Sequence, residues 1–147
     1  MTTAMLGDRI VITNRIEELR RMSQWLRDSA NEADIGTDLL QKLDVCANEA
    51  VANIIFYAYD DEKSHDITLE LAKTASGAAL VIRDDGRPFN PVEAPEHTTP
   101  TGLEDAQIGG LGVHLMRRML SRLDYQRADG INVLYLEACA GTLAGNA

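Results

Sequence analysis

The chain is poor in several features that mark large protein classes. Of its 147 residues, 14 are Lys or Arg and 23 are Asp or Glu, so the formal net charge is −9. Nucleic-acid binders need a basic face to meet phosphates, and that class is not expected here. A small polyanionic ligand remains admissible, because backbone N–H groups or a metal ion can hold one. Cysteine is scarce. Cys46 and Cys139 lie far apart and form neither a Cys-x-x-Cys motif nor a zinc-like spacing, so two buried thiols in a reducing compartment are expected. His65, His97 and His114 show no metal-ligand spacing either. No stretch is long and apolar enough to span a bilayer. Asp8 and Arg9 arrive before any signal-like apolar run develops, so a cytoplasmic chain is expected. Aromatics make up only 5%, and the one tryptophan, Trp25, reads as a packing residue.

What is present is an ordinary globular balance, with 45% hydrophobic and 25% charged residues. The length fits a single domain over residues 1–147, large enough to bury a core unaided. Residues 9–13 (RIVIT) predict a strand, with Asn14 as N-cap of a helix carrying Ile16, Leu19, Met22 and Leu26 at helical spacing. Residues 29–36 are polar and turn-like. A longer helix is predicted over 37–59, with an apolar face from Leu39 to Ile55. Alternation predicts a strand over 67–72 (ITLELA), a turn at Ser76-Gly77 and a partner strand over 78–83 (AALVIR). Residues 84–112 lack periodicity and hold all four prolines, so a binding loop or lid is expected there. A helix carrying Val113 to Leu123 and two strands joined by an Asp129-Gly130 turn follow. The tail, about 141–147, reads as frayed. This order predicts an α+β fold: a two-layer α/β sandwich, with a mixed, mainly antiparallel sheet covered by three helices.

Three constellations could carry chemistry. Glu49 and Asn53 stand one turn apart on one face of the long helix, inside an apolar run. They read either as a solvated polar pair or as a site in which an amide oxygen ligates Mg²⁺ and a carboxylate orients an attacking hydroxyl. Asp84-Asp85-Gly86 closes a strand. It is either a simple turn, or an acid that accepts a hydrogen bond from an exocyclic amine while Gly86 lets the backbone approach a ligand. Gly109-Gly110-Leu111-Gly112 precedes a helix. It is either a hinge or a phosphate cradle at a helix N-terminus. It lacks the Lys-Ser/Thr of a P-loop and does not follow a strand as a Rossmann fingerprint would.

In this order the three resemble the Bergerat ATP-binding fold. Within it the chain is most similar to the anti-sigma factor serine/threonine kinases, on the segments NEAVANIIFYAY, LVIRDDGRPFNP and IGGLGVHLMRRMLSRLDY. The resemblance implies a stand-alone domain that binds ATP with Mg²⁺ and phosphorylates a serine or threonine of an anti-sigma antagonist, so controlling capture of a sigma factor. It implies that Asn53 coordinates Mg²⁺, Glu49 is the general base, and Asp84 with Gly86 holds adenine. Gly109, Gly110 and Gly112 would lie near the phosphates, and residues 87–108 would form a lid. A homodimer is implied as well. The chain departs from the family pattern at two places. Arg87-Pro88 stands where a second glycine is usual, and no Lys or Arg lies between Arg87 and Arg117, where the lid carries Glu93, Glu96, Glu104 and Asp105. The alternative is a nucleotide-dependent protein-binding module that transfers no phosphate.

Overall fold

The computed structural model describes residues 7–91 and 110–140. In chain order these form β1 (Asp8–Thr13), α1 (Glu18–Glu32), α2 (Thr37–Tyr57), β2 (Asp66–Lys73), β3 (Gly77–Asp84), α3 (Gly110–Met119), β4 (Arg122–Ala128) and β5 (Ile131–Cys139). The strands make one five-stranded sheet in the order β1-β2-β3-β5-β4. All four pairings are antiparallel, so the expected α+β sandwich is present and the sheet carries no parallel pair among the described residues.

The alternation read in the sequence sets the layers. Ile67, Leu69 and Leu71 of β2, Leu80 and Ile82 of β3, and Leu134, Leu136 and Ala138 of β5 pack with the helices into one core. From α1 the core takes Met22, Leu26 and Ala30. From α2 it takes Leu39, Leu43, Cys46, Ala47, Ala50 and Val51. Of the two thiols expected to be buried, Cys46 is, whereas Cys139 is only partly buried. The small residues Ala47 and Ala50 let α2 lie close to the sheet. Strand β3 is central, and its other face is covered too: Ala79 and Val81 are buried. Gly77 is needed at the start of β3, because a Cβ there would come within 2.0 Å of the Ala138 carbonyl oxygen.

Strand β1 is a sheet edge, and side chains cap its backbone. Arg21 donates to the Val11 carbonyl at 2.8 Å, and the Thr13 N–H donates to Glu18 Oε1 at 2.9 Å. An edge occupied in this way offers less to a second strand. The Arg21 hydrogen bond, with the Thr13 N–H, holds the Glu18 carboxyl down at about 2.

Several boundaries differ from the sequence reading. Asn14 is not an N-cap: α1 starts at Glu18 without a side-chain cap, and Asn14 Oδ1 instead accepts the His65 N–H at 2.8 Å. The capping residue was spent on a contact distant in sequence. Helix α1 also runs through the polar residues to Glu32, where a Schellman motif ends it. Ile35 N–H bonds the Ala30 carbonyl, Asp34 N–H bonds the Asn31 carbonyl, and Asp34 takes φ 62°. Helix α2 stops at Tyr57, two residues before the predicted end. Helix α3 begins at Gly110, so Gly110 and Gly112 lie within its first turn rather than before it. Glycine is tolerated there because the N–H groups of a first turn have no helical partner to lose. The predicted continuation to Leu123 instead enters β4. The Asp129-Gly130 turn is as expected, with φ 56° and 77° suiting a type I′ hairpin. Gly109, most of the predicted lid and the tail at 141–147 lie outside the described residues.

Candidate functional site

A cavity of about 240 Å³ opens where the C-terminal half of α2 meets the end of β3, the segment 87–91, α3 and the β4–β5 hairpin. Its walls are largely apolar, with Ile54 and Tyr57 from α2, Phe89 and Pro91 after β3, Met116 from α3 and Leu134 from β5. Asn53, Asp84, Arg87 and Asn132 are the polar and charged residues among these groups in its lining. Apolar walls with few placed polar groups are the usual composition of a small-molecule site.

Asp84 closes β3 and is 5% exposed. Its Oδ2 accepts the Gly86 N–H at 2.9 Å and the Asn132 amide at 3.2 Å. No hydrogen bond falls on Oδ1 among the described residues, which leaves that oxygen for a ligand. Burial pushes the Asp84 carboxyl upward, against the Gly86 and Asn132 hydrogen bonds that pull it down. Gly86 is dictated by space. A Cβ there would lie 2.5 Å from Ala58 Cβ and 2.7 Å from the Ala58 carbonyl oxygen. That carbonyl accepts the Arg87 N–H at 2.9 Å, so the turn is pinned to the residue just beyond α2.

Asn53 comes from the middle of the last two turns of α2. Its Nδ2 is buried and has no hydrogen-bond partner among the described residues. A buried amide without a partner costs stability unless something else satisfies it, so a ligand-facing role fits. Glu49 lies one turn earlier on the same helix. It is half-buried, outside the cavity lining, and has no partner among the described residues. Beside it, burial and then the Glu49 charge push the Cys46 thiol up to about 12, so that thiol stays protonated. Among the described residues no group of three or more His, Cys, Asp or Glu could cage a metal. Gly110 and Gly112 sit on α3, the helix that supplies Met116 to the cavity wall. The structure thus brings Asn53 and the Asp84-Gly86 turn to one cavity, and leaves Glu49 a turn away from it.

Asn132 was missed as a site residue. It stands opposite Asp84 in the β3–β5 register. Its Nδ2 donates to Asp84 Oδ2 and to the carbonyls of Gly86 at 3.3 Å and Arg87 at 3.0 Å. Its Oδ1 accepts Arg127 at 2.8 Å and the Tyr125 hydroxyl. Arg127 also donates to the Gly86 carbonyl at 2.9 Å. The readable signal was an amide on the inward phase of an otherwise apolar strand, Asn132, Leu134, Leu136, Ala138.

The family model described as the histidine kinase-like ATPase domain matches residues 12–138. The serine/threonine-protein kinase BtrW of Bordetella bronchiseptica is 37% identical over 112 residues, covering 76% of this chain and 79% of that protein. The serine-protein kinase RsbW of Bacillus subtilis is 22% identical over 104 residues, covering 65% of this chain and 62% of that protein. The histidine kinase domain from the Erythrobacter litoralis EL346 blue-light activated histidine kinase superposes with a TM-score of 0.49 and 14% identity, over 94% of this chain and 65% of that one.

Proposed function

The chain belongs to the histidine kinase-like ATPase domain family and is a protein serine/threonine kinase by that kinship, and from this premise we propose how its cavity is used. The cavity takes ATP with Mg²⁺. One observation carries the reading: Asn53, whose Nδ2 has no partner among the described residues, and Asp84, whose Oδ1 accepts no hydrogen bond among them, line the same largely apolar cavity. Asp84 Oδ1 accepts a hydrogen bond from the exocyclic amine of adenine, while Gly86 and Asn132 hold the carboxylate in orientation. The apolar walls exclude water from the base. The unpartnered Asn53 Nδ2 is a donor suited to a phosphate oxygen, while the amide oxygen of the same side chain is a hard ligand of the kind Mg²⁺ takes. The other ligands would come from phosphate and water, consistent with the lack of an acidic cage among the described residues. The bound nucleotide supplies the transferable γ-phosphoryl group.

Glu49 accepts a hydrogen bond from a serine or threonine hydroxyl of a partner protein and takes its proton. Its half-exposed position, one turn from Asn53 and clear of the cavity, leaves room for a protein substrate. Gly110 and Gly112 present backbone N–H groups of the α3 first turn to phosphate, and Gly109, outside the described residues, is assigned to the same ligand. The partner is an anti-sigma antagonist, and the wider role is control of sigma-factor capture by a homodimeric cytoplasmic regulator. No helix among the described residues is long and apolar enough to cross a membrane.

The experiment is ATP titration with Mg²⁺, followed by radiolabel transfer to a cognate antagonist. Asp84→Asn abolishes binding, whereas Glu49→Ala binds ATP and loses transfer. Equal transfer by Glu49→Ala would remove Glu49 from the mechanism. A second reading is favoured by one feature: residues 88–116 contain no Lys or Arg, while four acids lie in the predicted lid. Few cations near a transferring phosphoryl group disfavour transfer. ATP-dependent partner binding without a phosphorylated product would select this reading, a binding module.

A further inference from the structure

The two polar walls of the cavity belong to separate elements, Asn53 to α2 and Asp84 to the end of β3. Their separation depends on what joins the end of α2 to the turn after β3. One link is at Arg87, whose N–H donates to the Ala58 carbonyl and whose guanidinium lies 3.8 Å from Asp60 in an exposed ion pair. The second is made of side chains outside the cavity. The Tyr59 hydroxyl donates to Asp85 Oδ1 at 2.9 Å. The ring of His65 stacks on that of Tyr59, with centroids 4.0 Å apart and planes 8° from parallel. His65 is itself held at both ends. Its N–H donates to Asn14 Oδ1 at 2.8 Å, and its Nε2 lies 2.8 Å from Asp61 Oδ1. Its Nδ1 lies 3.8 Å from Asp85 Oδ1.

We propose that Tyr59 and His65 are positioning residues of the nucleotide site, a latch that fixes the Asp84-Asp85-Gly86 turn against the end of α2 and so sets the width of the cavity. The proposal rests on the nucleotide reading above for its functional consequence, though not for the latch itself. Tyr59 is the part that reaches the turn, and His65 is the part that keeps the Tyr59 ring from rotating away. A tyrosine alone on a post-helical residue would have free torsions. A flat ring stacked at 4.0 Å and tied to Asp61, on a residue whose N–H is held by Asn14 just after β1, removes them. Tyr59 stays a donor: burial, the Asp85 hydrogen bond and the charges of Asp84 and Asp85 all push its phenol upward. Gly86 has no space for a side chain against Ala58, so a turn that swings open loses both its packing and the alignment of Asp84.

The test uses Tyr59→Phe, Asp85→Ala, the double variant, His65→Ala and His65→Phe in the full chain. Two quantities are read: amide hydrogen exchange at Gly86 and Arg87 without nucleotide, and ATP affinity with Mg²⁺ by calorimetry. Exchange at Leu80, in the central strand, controls for global destabilisation. Tyr59→Phe and Asp85→Ala each speed exchange at Arg87 and weaken ATP about three- to tenfold, the range for one lost hydrogen bond. The double variant is no worse than Asp85→Ala alone, because that substitution already breaks the Tyr59 link along with the His65 contact. His65→Phe, which keeps a stacked ring, restores most of what His65→Ala loses. Unchanged exchange at Arg87 in Tyr59→Phe, or additive losses in the double variant, would overturn the latch. If the wild-type protein binds no ATP, the nucleotide reading fails while the exchange data still decide the latch.

Discussion

Replacing Asn132 by alanine attacks the densest polar network around the cavity. The side chain is 6% exposed, donates to one carboxylate and two carbonyls, and accepts from a guanidinium and a phenol. A hydrogen bond to a charged partner contributes about 1.5–3 kcal/mol and a neutral one about 0.5–1.5 kcal/mol. Arg127 and Tyr125 are partly exposed and regain water, so their loss costs little. Asp84 and the two turn carbonyls do not, and the cost is about 3 kcal/mol, a large share of the roughly 5–15 kcal/mol typical of a domain. The cost also depends on pH. Burial raises the Asp84 carboxyl above its unfolded value, so the folded state binds the proton more tightly. Stability gained this way is fully present below the unfolded value and is lost as pH rises through the folded one. Removing the Asn132 bond, which pulls Asp84 down, lifts the folded value further. The penalty of Asn132→Ala is therefore larger near pH 7.5 than near pH 4. Urea unfolding followed by circular dichroism at both pH values measures it, in the wild-type and Asp84→Asn backgrounds. With the charge gone, the penalty falls to about 1 kcal/mol and its pH dependence disappears. A penalty below about 1 kcal/mol near pH 7.5, or one equal in the two backgrounds, would refute the reasoning.

Two further substitutions follow from backbone geometry. Gly86→Ala forces a Cβ into the Ala58 carbonyl, 2.7 Å away, and parts the turn from α2. ATP binding then drops at least tenfold by calorimetry, with a smaller loss in thermal stability; wild-type affinity would show that the turn yields freely. Asp34→Gly relieves a left-handed residue at φ 62° and removes a negative charge from the C-terminal end of α1. Calorimetric unfolding should show a gain of about 0.5–1 kcal/mol, a rise in Tm of about 1–4 °C, and a lower Tm would contradict the Schellman assignment.

Much of this molecule is legible in local pattern. Alternation in ITLELA and NVLYLEA marks two strands and their buried faces, because a pleated strand repeats every second residue. The spacing of Leu39, Leu43, Cys46, Ala47, Ala50 and Val51 marks the buried face of α2 for the same kind of reason. The Asp129-Gly130 turn is legible because only certain residues accept two positive φ angles. Glu49, Asn53, Asp84 and Gly86 stand out as polar or small residues against apolar runs, and three of those four gather at the cavity or its turn.

The rest is decided by contacts that no local window contains. Asn14 caps nothing because His65, 51 residues on, takes its side chain. The polar stretch after residue 29 is helical because Ser29 and Ala30 are buried. Asn132 becomes the keystone of the Asp84 site only when β5 pairs with β3 and sets it opposite a residue 48 positions earlier. Tyr59, His65 and Asp85 form one unit only when the end of α2 closes on the turn after β3. Periodicity records which face of an element is buried, since that depends on neighbours three or four residues away or fewer. Strand register and helix docking join residues across the whole chain, and the polar network of the site exists only after that joining.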